Sequence, residues 1–131
     1  MRKFTVSTGS RSELVDITAE VMQAVGDSGV VDGVCIVFVP HTTAAVTINE
    51  GADPAVKLDV IAGLDKAIPW NDAYSHAEGN SAAHIKTSLV GSSETVLVSD
   101  GQLVLGTWQA IYFCEFDGPR TRKVLVKVTP D

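Results

Sequence analysis

Two of the chain's three histidines lie close together in the polar segment Y-S-H-A-E-G-N-S-A-A-H-I-K. Asn80 stands midway between His76 and His84, and Lys86 lies two residues beyond the second histidine. The third, His41, follows an apolar run and begins H-T-T-A-A-V-T-I-N-E. Neutral imidazole is the commonest metal ligand, and three of them leave one position open for water or substrate, as in a catalytic zinc site. The histidines therefore predict a metal site.

Two other readings of the histidines stay open at this point. They could be separate surface or helix-capping residues, since their spacing is no short dedicated motif such as H-E-x-x-H. They could also act as general acids and bases without a metal.

Basic and amide groups near the histidines predict anion binding. Residues 79–81, G-N-S, begin a predicted helix, and the free backbone N–H groups of a helix start favour a negative ligand. Lys86 falls in the second turn of that helix. Arg120 and Arg122 follow a D-G-P turn, and Arg122 shares the apolar face of its strand. A charge on that face needs a partner, for which Glu115 is the candidate; the alternative is a structural Arg–Glu pair at a subunit interface.

Polar residues also interrupt two apolar strand patterns. Asn49 and Glu50 end one strand, and Trp108 and Gln109 follow Gly106 in another. A glycine within a strand often marks a bulge or the close approach of a ligand. These residues are either part of a binding site or solvent-exposed positions at the edge of a sheet.

Composition limits the class of protein. The 131 residues suit a single domain, 1–131, and 45% hydrophobic with 20% charged residues is typical of a globular chain. A net charge of −6 argues against nucleic-acid binding, which needs a basic surface. No apolar run approaches the roughly 20 residues that span a membrane, and the N-terminus has no signal-peptide pattern, so we expect a cytoplasmic protein. Cys35 and Cys114 lie in apolar runs and are expected to be buried thiols.

The periodicity of apolar residues predicts an α+β fold. Helices are expected at about 16–27, 54–67 and 80–89. Strands are expected at 3–8, 12–15, 33–39, 44–49, 94–98, 102–116 (as one or two strands hinged at a glycine) and 121–129. The order ββαββααβββ lacks the regular alternation of a doubly wound fold, which favours a mostly antiparallel sheet with helices against one face.

The apolar run 33–39 predicts a strand that is buried on both faces. Three short helices can cover only part of such a sheet. Its other face must be covered by self-association or by a second sheet within the same chain.

The third predicted helix has an apolar face made of Ala82, Ile85 and Leu89. His84 lies to one side of that face at 100° per residue, so it is not an obvious core histidine.

Four segments, in order along the chain, resemble the YjbQ-like family. They are H-T-T-A-A-V-T-I-N-E at 41–50, H-A-E-G-N-S-A-A-H-I-K at 76–86, L-V-L-G-T-W-Q-A-I at 103–111 and E-F-D-G-P-R-T-R at 115–122. The resemblance spans essentially the whole chain. It implies an α+β domain that assembles as a homotrimer, with metal sites near the subunit interfaces.

The resemblance also implies a secondary thiamine-phosphate synthase, a transferase that joins hydroxymethylpyrimidine diphosphate to thiazole phosphate and releases diphosphate. Its cofactor would be a divalent metal, zinc-like or magnesium, and its partner a small phosphorylated metabolite. The implied metal ligands are His41, His76 and His84. The implied catalytic residues are His84, Lys86, Glu115 and Arg120. The implied substrate-binding residues are Asn49, Glu50, Asn80, Trp108 and Gln109, with Trp108 or Tyr74 stacking on the pyrimidine.

Two other functions remain open. A histidine cluster prefers zinc-like metals, whereas diphosphate usually travels with magnesium. The same residues would suit a metal-dependent hydrolase or lyase acting on a small phosphorylated metabolite. They would also suit a trimeric metal-binding protein that is not an enzyme.

Overall fold

A computed structural model describes all 131 residues, which form eight strands and three helices. The strands are β1 (Arg2–Ser7), β2 (Glu13–Asp16), β3 (Gly33–Phe38), β4 (Ala44–Glu50), β5 (Ser93–Ser99), β6 (Gln102–Leu103), β7 (Gln109–Glu115) and β8 (Thr121–Pro130). The helices are α1 (Thr18–Ser28), α2 (Pro54–Ala67) and α3 (Ser81–Val90). The predicted α+β class with antiparallel strands is confirmed.

The strands divide into two antiparallel sheets rather than one. The larger sheet has the order β1-β8-β3-β5-β6, and the smaller has the order β2-β7-β4. A backbone hydrogen bond from Val46 N–H of β4 to the Gly91 carbonyl, two residues before β5, joins their edges. Residues 102–116, predicted as one or two strands hinged at a glycine, form two, β6 and β7, so the chain has one strand more than the predicted order.

The main core lies between the two sheets and α1. Sixteen buried side chains form it, among them Val37 and Val124 of the larger sheet, Phe113 of the smaller sheet and Val21 of α1. Each fully buried side chain of this size contributes roughly 1.5–3 kcal/mol of transfer free energy. This core therefore fixes the relative position of the sheets.

A second, smaller core covers the outer face of β4 and β7. Alternate residues of β7 point to this face, including Tyr112 and Cys114, and Ala83 of α3 packs against them. Helix α2 contributes only half-buried side chains, and none of its residues is buried. Its first turn is nevertheless well defined, since Asp53 accepts a hydrogen bond from Ala55 N–H at 2.9 Å and Pro54 occupies the first helical position.

The predicted apolar face of α3 is right for Ala82 and wrong for Ile85 and Leu89. The helix buries Ala82, Ala83, Lys86 and Thr87, whereas Ile85 and Leu89 are 39% and 67% exposed. Small residues allow the helix to lie close to β4, which places the larger apolar side chains on the outside.

The expectation that residues 33–39 are buried on both faces is also wrong. Cys35 and Val37 are buried between the sheets, but Ile36 and Phe38 on the opposite face are 36% and 41% exposed. Their neighbour Leu97 in β5 is 61% exposed. Both helices of the outer layer cover the smaller sheet, so this apolar face of the larger sheet is uncovered in a single chain.

None of the three helices has the length and apolar character that crossing a bilayer would require.

Candidate functional site

Three adjoining cavities form one groove, which we call the histidine groove. The first, of about 440 Å³, is lined by Tyr74, His76 and His84 among others. His84 also lines the second cavity, of about 390 Å³, whose far wall includes His41. His41 in turn lines the third, of about 530 Å³. The third cavity ends at two arginines, Arg120 and Arg122. All three histidines thus line cavities that are linked by shared residues, and Arg120 and Arg122 line the cavity that His41 borders.

His76 and His84 are in direct contact. Their ring centroids lie 5.4 Å apart, and the rings meet edge to face at 86°. His76 is carried by the loop before α3, and His84 by the first turns of the helix. His76 Nε2 also lies 3.9 Å from the Glu78 carboxylate. Two imidazoles at this separation fit a pair of ligands to one zinc-like ion.

His41 is hydrogen-bonded to the backbone of β8. Its Nε2 atom accepts from Lys123 N–H at 2.9 Å, so this nitrogen carries no proton and Nδ1 is the free position. Burial and the nearby Arg122 guanidinium lower the pKa of His41 below its ordinary value of 6.5. No place in the chain brings three His, Cys, Asp or Glu side chains together as metal ligands. One chain therefore supplies two of the three expected ligands in one place.

Glu115 and Arg122 form a buried ion pair at the basic end of the groove. Arg122 Nε lies 2.9 and 3.2 Å from the two carboxylate oxygens, and Nη2 lies 2.5 Å from Oε2. Thr8 Oγ1 and Asp117 N–H also donate to Glu115, at 2.8 and 3.0 Å. Burial raises the pKa of Glu115, but the hydrogen bonds from Arg122, Asp117 and Thr8 outweigh it, so the net pKa is lowered.

The expected catalytic role of Glu115 does not fit this environment. Both carboxylate oxygens are bonded within the chain, and the side chain is fully buried. Glu115 instead holds Arg122, whose Nη2 atom also donates to Thr43 Oγ1 at 2.9 Å. The predicted ion pair between Glu115 and Arg122 is confirmed.

Asn80 and Arg120 meet on one carboxylate, that of Asp117. Asn80 Nδ2 donates to Asp117 Oδ2 at 2.9 Å, and Arg120 Nη2 donates to the same oxygen at 3.0 Å. The start of α3 is thereby tied to the D-G-P turn, and Asn80 makes no helix-capping bond with its side chain. Half of the Arg120 side chain is exposed, so its remaining N–H groups are available to a ligand in the groove.

Lys86 does not reach the groove. Residues two apart on a helix point about 200° away from each other, so Lys86 faces the side of α3 opposite His84. Its ammonium pairs with Asp65 of α2, and the side chain is almost fully buried. In the single chain Lys86 therefore points away from His84, and its implied catalytic role stays a prediction.

The remaining expected residues lie at the other end of the smaller sheet. Glu50 pairs with Gln109, and Asn49 with Ala110, six residues along the strands from the pairing of Ala44 with Glu115. At about 3.3 Å per residue, this places them about 20 Å from the Glu115 end of the strands. We call Asn49, Glu50, Trp108 and Gln109 the distal cluster. Trp108 is 64% exposed.

The groove also contains hydroxyl groups that the sequence analysis did not single out. Thr42, Thr87, Ser88 and Ser92 line its second cavity, where no lining residue is apolar. The Thr87 hydroxyl is buried and has no hydrogen-bond partner in the chain. The H-T-T sequence after His41 was the available signal for Thr42; the others needed the packing of α3 against β4 and β5.

Comparison with known proteins identifies the family. The model of the family described as "UPF0047 protein YjbQ-like" matches residues 2–131. The chain belongs to the YjbQ-like family. A UPF0047 protein of Methanocaldococcus jannaschii is 54% identical over 129 residues, which cover 98% of this chain and 94% of the relative. The UPF0047 protein YugU of Bacillus subtilis is 48% identical over 129 residues, with 98% of each chain covered.

Solved structures of the YjbQ-like family share the fold. A family member from Clostridium acetobutylicum superposes with a TM-score of 0.97 at 53% identity, covering 98% of this chain and all of that one. A protein of unknown function from Sulfolobus solfataricus gives a TM-score of 0.96 at 34% identity, covering 99% and 96%. The family and the fold follow from these likenesses.

Proposed function

We propose that the chain is a thiamine-phosphate synthase-like transferase that acts in the histidine groove. The observation that carries this proposal is the order of groups along the groove, with imidazoles at one end and centre and arginines at the other. Such an arrangement suits a substrate with an anionic leaving group. In the reaction, the bond from the pyrimidine methylene carbon to the diphosphate oxygen breaks, and the thiazole nitrogen forms a new bond to that carbon.

The basic end of the groove would stabilise the leaving group. Negative charge develops on the departing diphosphate, and donors that are already in place stabilise such charge most effectively. Arg120 is the more exposed of the two arginines, since Nε and Nη2 of the buried Arg122 are held by Glu115 and Thr43, and Arg120 is therefore the main candidate for this role. Tyr74 lines the opposite end of the groove and is the aromatic ring available to a pyrimidine there.

A divalent metal would bind at His76 and His84 in this proposal. When bound, it would supply Lewis-acid stabilisation of negative oxygen. The contacting pair of imidazoles supports a zinc-like ion more than magnesium, which prefers oxygen ligands. The same donor set favours the second candidate function, a metal-dependent hydrolase or lyase of a small phosphorylated metabolite. The third, a metal-binding protein without catalysis, uses the same pair.

We further propose that the working form is a homotrimer with the site shared between subunits. Two observations support it. The distal cluster lies about 20 Å along the smaller sheet from the groove end, too far for one small substrate to bridge within a chain. The outer face of the larger sheet exposes Ile36, Phe38 and Leu97, and exposed apolar patches mark association surfaces.

The direct test supplies both phosphorylated precursors and measures thiamine phosphate, with zinc or magnesium added. The unaltered protein should form product, and His84→Ala should lose at least about 100-fold, the usual contribution of a positioned catalytic group. Leu89→Ala is the matched control, since Leu89 lies on the same helix, is exposed and lines no part of the groove. Equal rates for the His84 and Leu89 variants would refute the role of the groove.

Other phosphate esters and elemental analysis separate the alternatives. Turnover of phosphate esters but not of the precursor pair would support the hydrolase. Bound metal without turnover of either would support the binding protein. In each of these cases His76→Ala and His84→Ala should both lose the metal.

Mixing two inactive variants tests whether the site is shared. His84→Ala and Trp108→Ala chains, unfolded together and refolded at equal amounts, should recover about a quarter of full activity if a groove and a distal cluster come from different subunits. The control mixture of His76→Ala with His84→Ala alters the groove in every chain and should recover nothing. Absence of recovery in the first mixture would place the complete site within one chain.

A further inference from the structure

A cavity separate from the histidine groove is lined in part by residues 69–71, in the segment before α3. Its volume is about 630 Å³, within the range of small-molecule sites. Trp70, Pro69 and Ile61 form its apolar wall, and Arg11 and Asp65 are its charged groups. We call it the Arg11 cleft. It shares no lining residue with any of the three groove cavities.

Arg11 is placed to receive an anion. Its guanidinium carbon lies 4.2 Å from the centroid of the Trp70 ring, and this cation–π contact positions the guanidinium. The Arg11 carbonyl accepts from Gly118 N–H at 3.0 Å, which fixes the backbone against the D-G-P turn. The side chain takes part in no ion pair of the chain, so its N–H donors are free.

A second cation, Lys86, is bonded to Asp65 of the cleft lining. Lys86 is 1% exposed, and the hydrogen bond to Asp65 is the one that its ammonium makes. An ammonium has three donors, so two are unused in the chain. The ammonium also lies 5.9 Å from the Phe116 ring centroid. A buried cation with a single, half-exposed carboxylate partner favours a further anion nearby.

The local charge is positive although the whole chain is negative. The lining residues Arg11 and Asp65 carry one charge of each sign, and the buried Lys86, which pairs with Asp65 but does not line the cleft, brings the sum to +1 in a chain of net charge −6. We propose that the Arg11 cleft binds a small organic oxyanion. Its carboxylate or phosphate pairs with Arg11, and its planar apolar body packs on Trp70 and Ile61. This site goes beyond the proposed transferase activity and does not depend on it.

The test uses the fluorescence of Trp70, with sodium benzoate as the planar carboxylate and inorganic phosphate as the bare anion. The chain has two tryptophans, so Trp108→Phe leaves Trp70 as the only indole. In that background benzoate should change the emission saturably, and phosphate should compete with it. A linear response to benzoate, or none, would overturn the proposal.

Substitutions of opposite expected sign make the test specific. Arg11→Met should weaken benzoate binding at least about tenfold, because a charge-assisted contact is lost. Asp65→Asn should strengthen it, because a negative charge leaves the cleft and the Lys86 ammonium is freed. Arg2→Met is the matched control for the loss of one exposed arginine and should have no effect. Unchanged affinity in both cleft variants would refute the site.

Arg120→Met separates this site from the groove. It should leave benzoate binding unchanged while impairing the proposed transferase. If Arg120→Met abolishes benzoate binding, the anion sits in the groove and the cleft proposal fails even though the transferase proposal stands. Loss of precursor turnover with intact benzoate binding in His84→Ala would leave the cleft proposal supported on its own.

Discussion

Replacing Glu115 by glutamine should strongly destabilise the fold. The substitution keeps the size of the side chain but removes its charge, while Arg122 remains 3% exposed. Four donor atoms of neighbouring residues then face a neutral amide: Thr8 Oγ1, Asp117 N–H, and Arg122 Nε and Nη2. Breaking a buried ion pair by removing one partner costs about 3–5 kcal/mol. That is a large share of a total stability of about 5–15 kcal/mol.

The measurement is urea unfolding at a fixed protein concentration, because any association would shift the apparent stability. Thermal melting should show a decrease of about 10–20 °C in Tm for a chain of this size. The double variant Glu115→Leu with Arg122→Met removes both charges and should regain more than half of the loss, since apolar replacements of buried pairs are often tolerated.

Two results would refute this reasoning. A loss below about 1 kcal/mol in Glu115→Gln would mean that the pair behaves like an exposed one. A double variant that loses as much as both single variants combined would mean that the two charges do not depend on each other.

Acid should destabilise the protein partly through the same carboxylate. The folded-state pKa of Glu115 is below its ordinary value of 4.5. In acid, the Glu115 side chain therefore binds fewer protons in the folded state than in the unfolded state. Its contribution to stability is complete well above pH 4.5 and is lost as the pH falls from there through the folded-state pKa. Glu115→Gln should lack this part of the acid dependence.

Three further outcomes are expected. Gly118→Ala should cost about 1–3 kcal/mol, because its Cβ would lie 2.8 Å from Thr8 Oγ1 and would meet the Ser10 carbonyl; Gly26→Ala, with open space around it, should not destabilise the protein. In metal-free protein, NMR titration of His41 should give a midpoint below 6.5. The contribution of neutral His41 to the stability of the fold is then complete above pH 6.5 and is lost as the pH falls through the midpoint. Phe38→Glu should convert an assembled protein to monomers in sedimentation, and a smaller species already present in the unaltered protein would contradict the proposed trimer.

Much of the candidate site could be predicted from residue types. The pairing of Glu115 with Arg122 followed from strand alternation, because a charge on an apolar face needs a partner. The start of α2 followed from Asp53 and a proline at the next position. These features depend on residues close together in sequence, so local rules suffice.

The position of Lys86 could not be predicted in the same way. The sequence places it two residues from His84, but which face of α3 becomes buried depends on the small residues that fit against β4. Of the predicted apolar face, Ala82 is buried but Ile85 and Leu89 are exposed, and Ala83, outside that face, is buried instead. Periodicity measures hydrophobicity around a helix and carries no information on how closely another element can approach.

The sequence by itself determined the helices, the longer strands, the α+β class and the residue types available for chemistry. Only the tertiary structure decided that the strands form two sheets, that three histidines share a groove and that the distal cluster lies about 20 Å away along β4 and β7. Helix caps and strand alternation arise from contacts close in sequence. Strand pairing and cavity formation arise from contacts between distant segments, and many pairings are compatible with the same local pattern.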